Sequence, residues 1–107
     1  MSQVIEINDG DFASQIDEPE KAVMAYFWAN WCGPCRLVSP SISWAAENYS
    51  DRLKIIKLEV DASPESVAKY KVEGVPALRI FKGGEMLASH EGAIGKAQLT
   101  SFIEENI

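Results

Sequence analysis

The 107-residue sequence is poor in the residues that bind metal ions or cross-link small domains, with only two cysteines and one histidine. A structural zinc site needs four such ligands, and disulfide-stabilised domains carry several cysteine pairs. A chain of this length also buries roughly two thirds of the surface that its unfolded form exposes, so its core needs no cross-link. Both structural uses of the cysteines are therefore disfavoured.

Positive charge is scarce as well. The chain has 10 Lys and Arg against 16 Asp and Glu, a net charge of −6, and its first twenty residues hold six acids and no Lys or Arg. Proteins that bind nucleic acids need a basic surface for the phosphates, so this composition argues against a nucleic-acid partner.

Long apolar segments are also missing. No window approaches the ~18 continuous apolar residues of a membrane span, so we expect no membrane association. The N-terminal segment MSQVIEINDGDF lacks the basic and apolar regions of a signal peptide, which predicts a cytoplasmic protein or one of a comparable reducing compartment. The length fits a single domain over residues 1–107. Nothing in the sequence suggests a dimer, and we expect a monomer.

The spacing of apolar residues predicts the element order βαβαβαββα. Three strands are predicted at Val4–Ile7, Ala22–Ala29 and Leu53–Val60, and the segments ALRIF and EMLAS form a hairpin around Gly83-Gly84. Asn8 or Asp9 caps the first helix, Pro40 bends the second, and Ser63 caps the third. Helical crossovers make the first strands parallel and the hairpin adds an antiparallel edge, which predicts a mixed sheet covered by helices.

The two cysteines, Cys32 and Cys35, follow the buried strand directly in AYFWANWCGPCR. A disulfide between them closes a loop of only four residues, which stabilises a fold by about 2 kcal/mol at most. A metal site would need further ligands, and a Cys–His hydrolase would need His90, far along the chain and without a third partner. A redox-active dithiol remains the interpretation that fits best.

The position of the pair supports this interpretation. Cys32 lies where a helix begins, and the positive end of that helix favours the thiolate over the thiol. Cys35 lies one turn further on the same face, close enough to form a disulfide. Gly33 allows the turn, and Pro34 suits the first turn of a helix. A CxxC pair between a strand and a helix of a βαβ unit is typical of redox motifs.

The segments FWANWCGPCR, KLEVD, VEGVPAL, FKGGE and EGAIGKAQL, with Pro40 in the second helix, resemble thioredoxins almost from end to end. The resemblance implies the α/β thioredoxin fold, a central five-stranded mixed sheet flanked by four α-helices. It implies a general protein disulfide reductase in which Cys32 is the exposed attacking thiolate and Cys35 the resolving thiol. Its partners would be disulfide-containing target proteins and a thioredoxin reductase, NADPH- or ferredoxin-dependent, with no bound cofactor and no metal.

The resemblance also implies a groove for the target beside the cysteines. Pro76 would follow a cis peptide bond, and Val75 would offer its backbone to an extended substrate segment, as in strand addition. Trp28 would pack in the core under the pair. The remaining groove residues would be Trp31, Gly33, Pro34, Gly92 and Ala93.

Position 26 departs from the family pattern. Thioredoxins usually have a buried Asp there, which relays the proton of the resolving cysteine with help from a lysine on the neighbouring strand. This chain has Tyr26, while the lysine is present as Lys57. Tyr is no base near neutral pH, since its reference pKa is about 10. We therefore expect Tyr26 to pack in the core with a satisfied hydroxyl, Cys35 to lose its proton through water or with the assistance of Lys57, and Tyr26→Asp to cost about 1–3 kcal/mol.

Arg79 is unusual because it lies within the apolar segment ALRIF. A two-residue turn at Gly83-Gly84 would place it opposite Ala88, on one face with His90 and Met86, and the sequence names no partner for its charge.

Three functions remain open at this point. A reductase differs from an oxidase or isomerase only in redox potential, and a binding subunit would use the groove for assembly with redox activity incidental.

Overall fold

The strand Ala22–Trp28 (β2) lies at the centre of the fold, in a computed structural model that describes residues 4–107. Residues 1–3 of the predicted domain lie outside the described residues. The other strands are β1 (Ile5–Glu6), β3 (Leu53–Glu59), β4 (Ala77–Lys82) and β5 (Glu85–Glu91). The helices are α1 (Asp9–Ile16), α2 (Gly33–Asn48), α3 (Pro64–Lys69) and α4 (Lys96–Asn106), with a short 3-10 helix at Val60–Ala62.

The five strands form one mixed sheet in the order β1-β3-β2-β4-β5. Strands β1, β3 and β2 are parallel, whereas β4 is antiparallel to β2 and β5 is antiparallel to β4. The predicted fold, a five-stranded mixed sheet with four helices, is confirmed. Every residue from Ala22 to Phe27 is buried, as expected for a strand covered on both faces.

Side chains of alternating strand residues divide the core into two layers. One layer packs against α2 and α4 and includes Met24, Tyr26, Ile55, Leu78 and Ile80. The other packs against α1 and α3 and includes Val23, Phe27, Ile56, Leu58 and Phe81. Helix α2 continues through Pro40, and the bend predicted there stays a prediction.

The hairpin turns at Gly83 and Gly84 as predicted, and both glycines have positive φ angles, 59° and 84°. Next to the turn the register is as predicted: Met86 lies opposite Phe81, on the face that it shares with Arg79. Beyond Phe81 the predicted register is wrong. A β-bulge shifts the pairing between Ile80 and Phe81, so that Arg79 lies opposite Ser89 rather than Ala88. His90 lies opposite Leu78 and so occupies the other face of the sheet.

Asp9, the first residue of α1, caps helix α3 from a distant part of the chain. Its carboxylate accepts hydrogen bonds from the amide of Glu65 at 3.0 Å, from the amide of Ser66 at 2.8 Å and from the hydroxyl of Ser66 at 2.6 Å. Ser63 is the N-cap residue of α3 as predicted, but its side chain makes no capping hydrogen bond. Partial burial by itself raises the pKa of Asp9, but the hydrogen bonds from Ser66 and Glu65 outweigh it and hold that pKa below its ordinary value.

We expect Asp9→Ala to lower the free energy of unfolding by about 1–2 kcal/mol at pH 7, the usual cost of losing a helix cap. A carboxyl with a lowered pKa stabilises the fold above its unfolded pKa, and this contribution disappears as the pH falls through the folded pKa. The difference from the wild type, measured by urea titration, should therefore shrink below about pH 4. Asp11→Ala, in the same first turn of α1, is the control. An equal loss in both variants would contradict the cap.

Candidate active site

Cys32 and Cys35 form a disulfide where β2 leads into α2, with their Cα atoms 5.3 Å apart. Cys32 is the N-cap residue of α2, and its Sγ accepts a hydrogen bond of 3.1 Å from the backbone amide of Cys35. The first amides of a helix have no partners within the helix, and they carry its positive end. The sulfur of Cys32 therefore occupies the position that a helix offers to an anion.

The pair is more buried than the sequence indicated. Cys32 is 4% exposed and Cys35 is 2% exposed, so the expectation of an exposed Cys32 is not met in the disulfide form. The physical reason is packing, because Trp28, Val60 and Val75 lie against the cluster that the cysteines form with Ala29. Trp28 packs against this cluster as predicted, but it is half-buried rather than a residue of the core.

The turn between the cysteines and the residue before it are open to solvent. Gly33 and Pro34 are exposed, and a Cβ at Gly33 would meet no atom within 4 Å. Trp31 is 67% exposed, and its indole N–H donates to a carboxylate oxygen of Asp61 at 2.9 Å. This hydrogen bond orients a large apolar ring beside the disulfide without burying it.

The loop before β4 meets the end of β5 on the other side of the pair. The peptide bond between Val75 and Pro76 is cis, as the resemblance implied. The amide of Gly92 donates to the carbonyl of Pro76 at 2.9 Å, which ties the two segments together, and Ala93 follows as an exposed residue. The structure thus packs Val75 against the cluster that contains the cysteines and joins Gly92 to Pro76, and the role of these residues as a groove for a target stays a prediction.

An apolar pocket of about 130 Å³ extends this surface beyond the predicted residues. Its lining residues are Trp31, Val60, Val67, Val72, Glu73, Gly74 and Val75. The sequence analysis missed Val60, although the order of elements carried a signal for it. Strands β2 and β3 are neighbouring parallel strands, so the residue after β3 must lie at the same sheet edge as the cysteines that follow β2.

Tyr26 is 2% exposed, and its hydroxyl donates to the carbonyl of Cys35 at 2.9 Å. The hydroxyl of Ser39 donates to the same carbonyl at 3.0 Å. Burial raises the pKa of Tyr26, with a smaller opposing effect of Ser39, so the hydroxyl stays protonated. The prediction that Tyr26 packs in the core with a satisfied hydroxyl is confirmed.

Lys57 lies next to Tyr26 in the sheet, where β3 pairs with β2. Its Nζ lies 5.4 Å from the centroid of the Trp28 ring. A cavity of about 160 Å³ is lined by both this lysine and Cys35. The other lining residues are Tyr26, Trp28, Ala29, Asn30, Arg36 and Ser39. A polar cavity of this size has room for several water molecules.

Two comparisons with known proteins agree on the family. A thioredoxin family model matches residues 3–105. A thioredoxin-like protein of Synechocystis sp. is 50% identical over 104 residues, which cover 97% of this chain and 95% of the relative. The chain belongs to the thioredoxin family. Thioredoxins of Buchnera aphidicola subsp. Schizaphis graminum and of Acidithiobacillus ferridurans are 38% and 36% identical, over 100% and 97% of this chain and 99% and 96% of their own lengths.

Membership of the thioredoxin family, together with the Cys32–Cys35 disulfide, makes the chain a protein-disulfide oxidoreductase. Within residues 4–107 no group of three or more His, Cys, Asp and Glu residues is arranged to hold a metal ion. His90 packs near Phe102 of α4, with ring centroids 6.0 Å apart. No helix in the described part of this thioredoxin-family chain is long and apolar enough to cross a membrane.

Proposed function

We propose that the chain is a general reductant of protein disulfides, with Cys32 as the attacking residue and Cys35 as the resolving residue. The observation that carries this proposal is the position of Cys32 as N-cap of α2, with its sulfur accepting the amide of Cys35. An amide donor and the positive helix end both stabilise a thiolate more than a thiol. The thiolate of Cys35, which lies inside the first turn, is stabilised less by the helix end than the thiolate of Cys32.

The reaction runs in two exchanges. The thiolate of reduced Cys32 attacks one sulfur of the target disulfide, which forms a mixed disulfide and releases the other target sulfur as a thiolate. The thiolate of Cys35 then attacks the sulfur of Cys32, and the second target sulfur leaves. Two electrons and, after protonation, two protons pass to the target, while Cys32 and Cys35 end as the disulfide.

The groove supplies the binding surface for the target. An extended target segment would pair with the backbone of Val75, beside Pro76, in the manner of an added strand. Apolar contacts would come from the exposed ring of Trp31 and from the turn at Gly33 and Pro34. Gly92 and Ala93 would close the other side. Such a surface would bind the backbone and the overall shape of a target segment rather than particular side chains, which suits an enzyme with many targets.

The proton of Cys35 must leave before the second exchange. We assign this step to water in the cavity that Cys35 shares with Lys57, whose positive charge stabilises a nearby thiolate. Tyr26 acts in this proposal as a hydrogen-bond donor to the carbonyl of Cys35 and not as a base, because its raised pKa keeps it protonated.

Re-reduction of the pair is assigned to a thioredoxin reductase, NADPH- or ferredoxin-dependent, since the two cysteines themselves carry the electrons and the step requires no bound cofactor. Disulfide-containing proteins are the other partners. We further propose that residues 1–107 form a single domain that works as a monomer. It would act in a reducing compartment such as the cytoplasm, where a dithiol of low potential stays reduced.

We expect the protein to catalyse reduction of insulin disulfides by dithiothreitol, and then by NADPH or ferredoxin with a matching reductase. Titration in glutathione buffers should give a potential near the thioredoxin reference of about −270 mV, far below the about −120 mV of strong dithiol oxidants. A potential in the oxidant range would favour an oxidase or isomerase. A folded protein that reduces insulin with neither electron source would instead favour a binding subunit.

A further inference from the structure

Arg79 is a charged residue in the middle of β4 that is only 3% exposed. Alternation along the strand places it on the face of the sheet that carries α1 and α3. Its guanidinium donates to the carbonyls of Tyr70 and Lys71, both at 3.2 Å, and to the carbonyl of Leu78 at 3.0 Å. Arg79 therefore holds the segment that leads from α3 toward the groove.

The charge of Arg79 is balanced by Glu91, the last residue of β5. The Arg79 Nη2 atom lies 2.6 Å from the Glu91 Oε2 atom, and the side chains are 4% and 30% exposed. The same carboxylate accepts the amide of Glu73 at 3.2 Å. Partial burial alone raises the pKa of Glu91, but hydrogen bonds from Arg79, Glu73 and Gly74 hold that pKa below its ordinary value.

The ion pair thus contacts both chain segments that meet at the groove. One segment runs from Tyr70 to Gly74 and ends next to Val75. It includes Lys71, which has a φ of 53°, a backbone conformation that non-glycine residues adopt rarely. The other segment begins with Glu91, which directly precedes Gly92. Two carbonyls of the first segment are bound by Arg79, and the amide of Glu73 in the same segment is bound by Glu91.

A contribution to stability alone explains such a pair poorly. Removing charges from water costs about as much free energy as their attraction returns, so an apolar pair of similar volume is often as stable. Apolar side chains, however, could not bind two carbonyls and an amide of a loop at once. What Arg79 and Glu91 provide, and apolar residues could not, is therefore a fixed backbone conformation of this loop.

We propose that Arg79 and Glu91 are positioning residues that fix the backbone of Glu73–Pro76 for the binding of an extended protein segment. The inference rests on the proposed function and adds a selectivity to it, because the pair favours disulfides within polypeptides over small disulfides, which do not need the groove. The hydrogen bonds of the two side chains go to each other and to the backbone of Tyr70, Lys71, Glu73 and Leu78, and not to Cys32 or Cys35. The sulfur chemistry itself should therefore be insensitive to the pair.

The test compares pre-reduced wild type, Glu91→Gln and Arg79→Met in single-turnover reactions with insulin and with hydroxyethyl disulfide. We expect the half-saturating insulin concentration to rise by about fivefold or more in both variants, with the maximal rate little changed, as for a loss of binding alone. The rate with hydroxyethyl disulfide should stay within about twofold of the wild type, since reaction there depends on the thiolate. Arg52→Gln, which removes the half-exposed ion pair with Glu104, is the control and should alter neither reaction.

A second measurement is independent of turnover. Hydrogen exchange at the amides of Glu73 and Gly74 should be faster in Glu91→Gln than in the wild type, even if Arg79→Met folds poorly. Equal rate losses with both disulfides, or unchanged exchange at these amides, would overturn the inference. A wild type that fails to reduce insulin would overturn the proposed function instead, so the two failures are distinguishable.

Discussion

Cys32→Ser is expected to lose insulin reduction by at least about a thousandfold, whereas Cys35→Ser is expected to complete the first exchange and stop there. The serine hydroxyl is not ionised at neutral pH, so the helix end that stabilises the Cys32 thiolate has no nucleophile to activate. In Cys35→Ser the attacking thiolate remains but the resolving one is missing. Mass spectrometry after mixing with a disulfide-containing target should then detect a stable mixed disulfide through Cys32.

Both variants should remain folded, since the two main core layers do not contain the cysteines. Loss of a four-residue disulfide loop costs about 2 kcal/mol at most in the oxidised protein. Urea titration of each variant against the reduced wild type checks this point. The double variant, Cys32→Ser with Cys35→Ser, should form no adduct. The assignment of roles would be reversed if Cys32→Ser, rather than Cys35→Ser, trapped the target.

The spacing of apolar residues predicted most of the strands and helices of the fold. The run Ala22–Ala29 is apolar at every position, as expected for a strand covered on both faces, and β2 is found at Ala22–Trp28. Ends of elements differ by one or two residues: the first strand shortens to Ile5–Glu6, and the strand predicted to reach Val60 stops at Glu59, where a short 3-10 helix begins. Hydrogen bonding at an element's end depends on the tertiary neighbours, which have no periodic signature.

Contacts between distant residues could not be predicted in the same way. The local pattern identified Ser63 as the N-cap residue of α3, but the carboxylate that binds the first amides of α3 comes from Asp9, more than fifty residues earlier in the sequence. The bulge beside Ile80 moved the partner of Arg79 by one residue, and Glu91 emerged as its counter-ion only from the fold. Such pairings depend on how strands twist and shift, which the identity of the residues does not encode locally.

In the candidate site, too, local features were predictable from the sequence and contacts between distant residues were not. The motif placed Cys32 and Cys35 between a strand and a helix because that information is local. The burial of Cys32 depends on Val60 and Val75, which arrive from other strand ends, and it could not be read from the motif. The environment of Tyr26 was predictable in kind, since a tyrosine in an apolar strand needs a partner for its hydroxyl, but not in detail.

Tyr26→Asp is expected to lower the free energy of unfolding by about 3–5 kcal/mol, more than the sequence alone indicated, because a 2% exposed aromatic ring is lost from the core. The new carboxyl would lie where Tyr26 now donates to the Cys35 carbonyl, and an ionised carboxylate cannot donate. Burial raises the pKa of such a carboxyl above its unfolded value of about 3.9, so the deficit should be smallest below that pH and grow as the pH rises through the folded pKa. Urea titration at several pH values measures it.

Tyr26→Phe separates the ring from the hydroxyl. It keeps the packing in the layer beneath α2 and leaves the Cys35 carbonyl with its hydrogen bond from Ser39. Its expected cost is about 1 kcal/mol, that of one hydrogen bond, without the pH dependence of the Asp variant. If Tyr26→Asp proved as stable as the wild type at neutral pH, the neighbouring charge of Lys57 would have to compensate the buried carboxylate. The site would then be an electrostatic one that tolerates a carboxylate, and packing would not be the reason that a tyrosine occupies it.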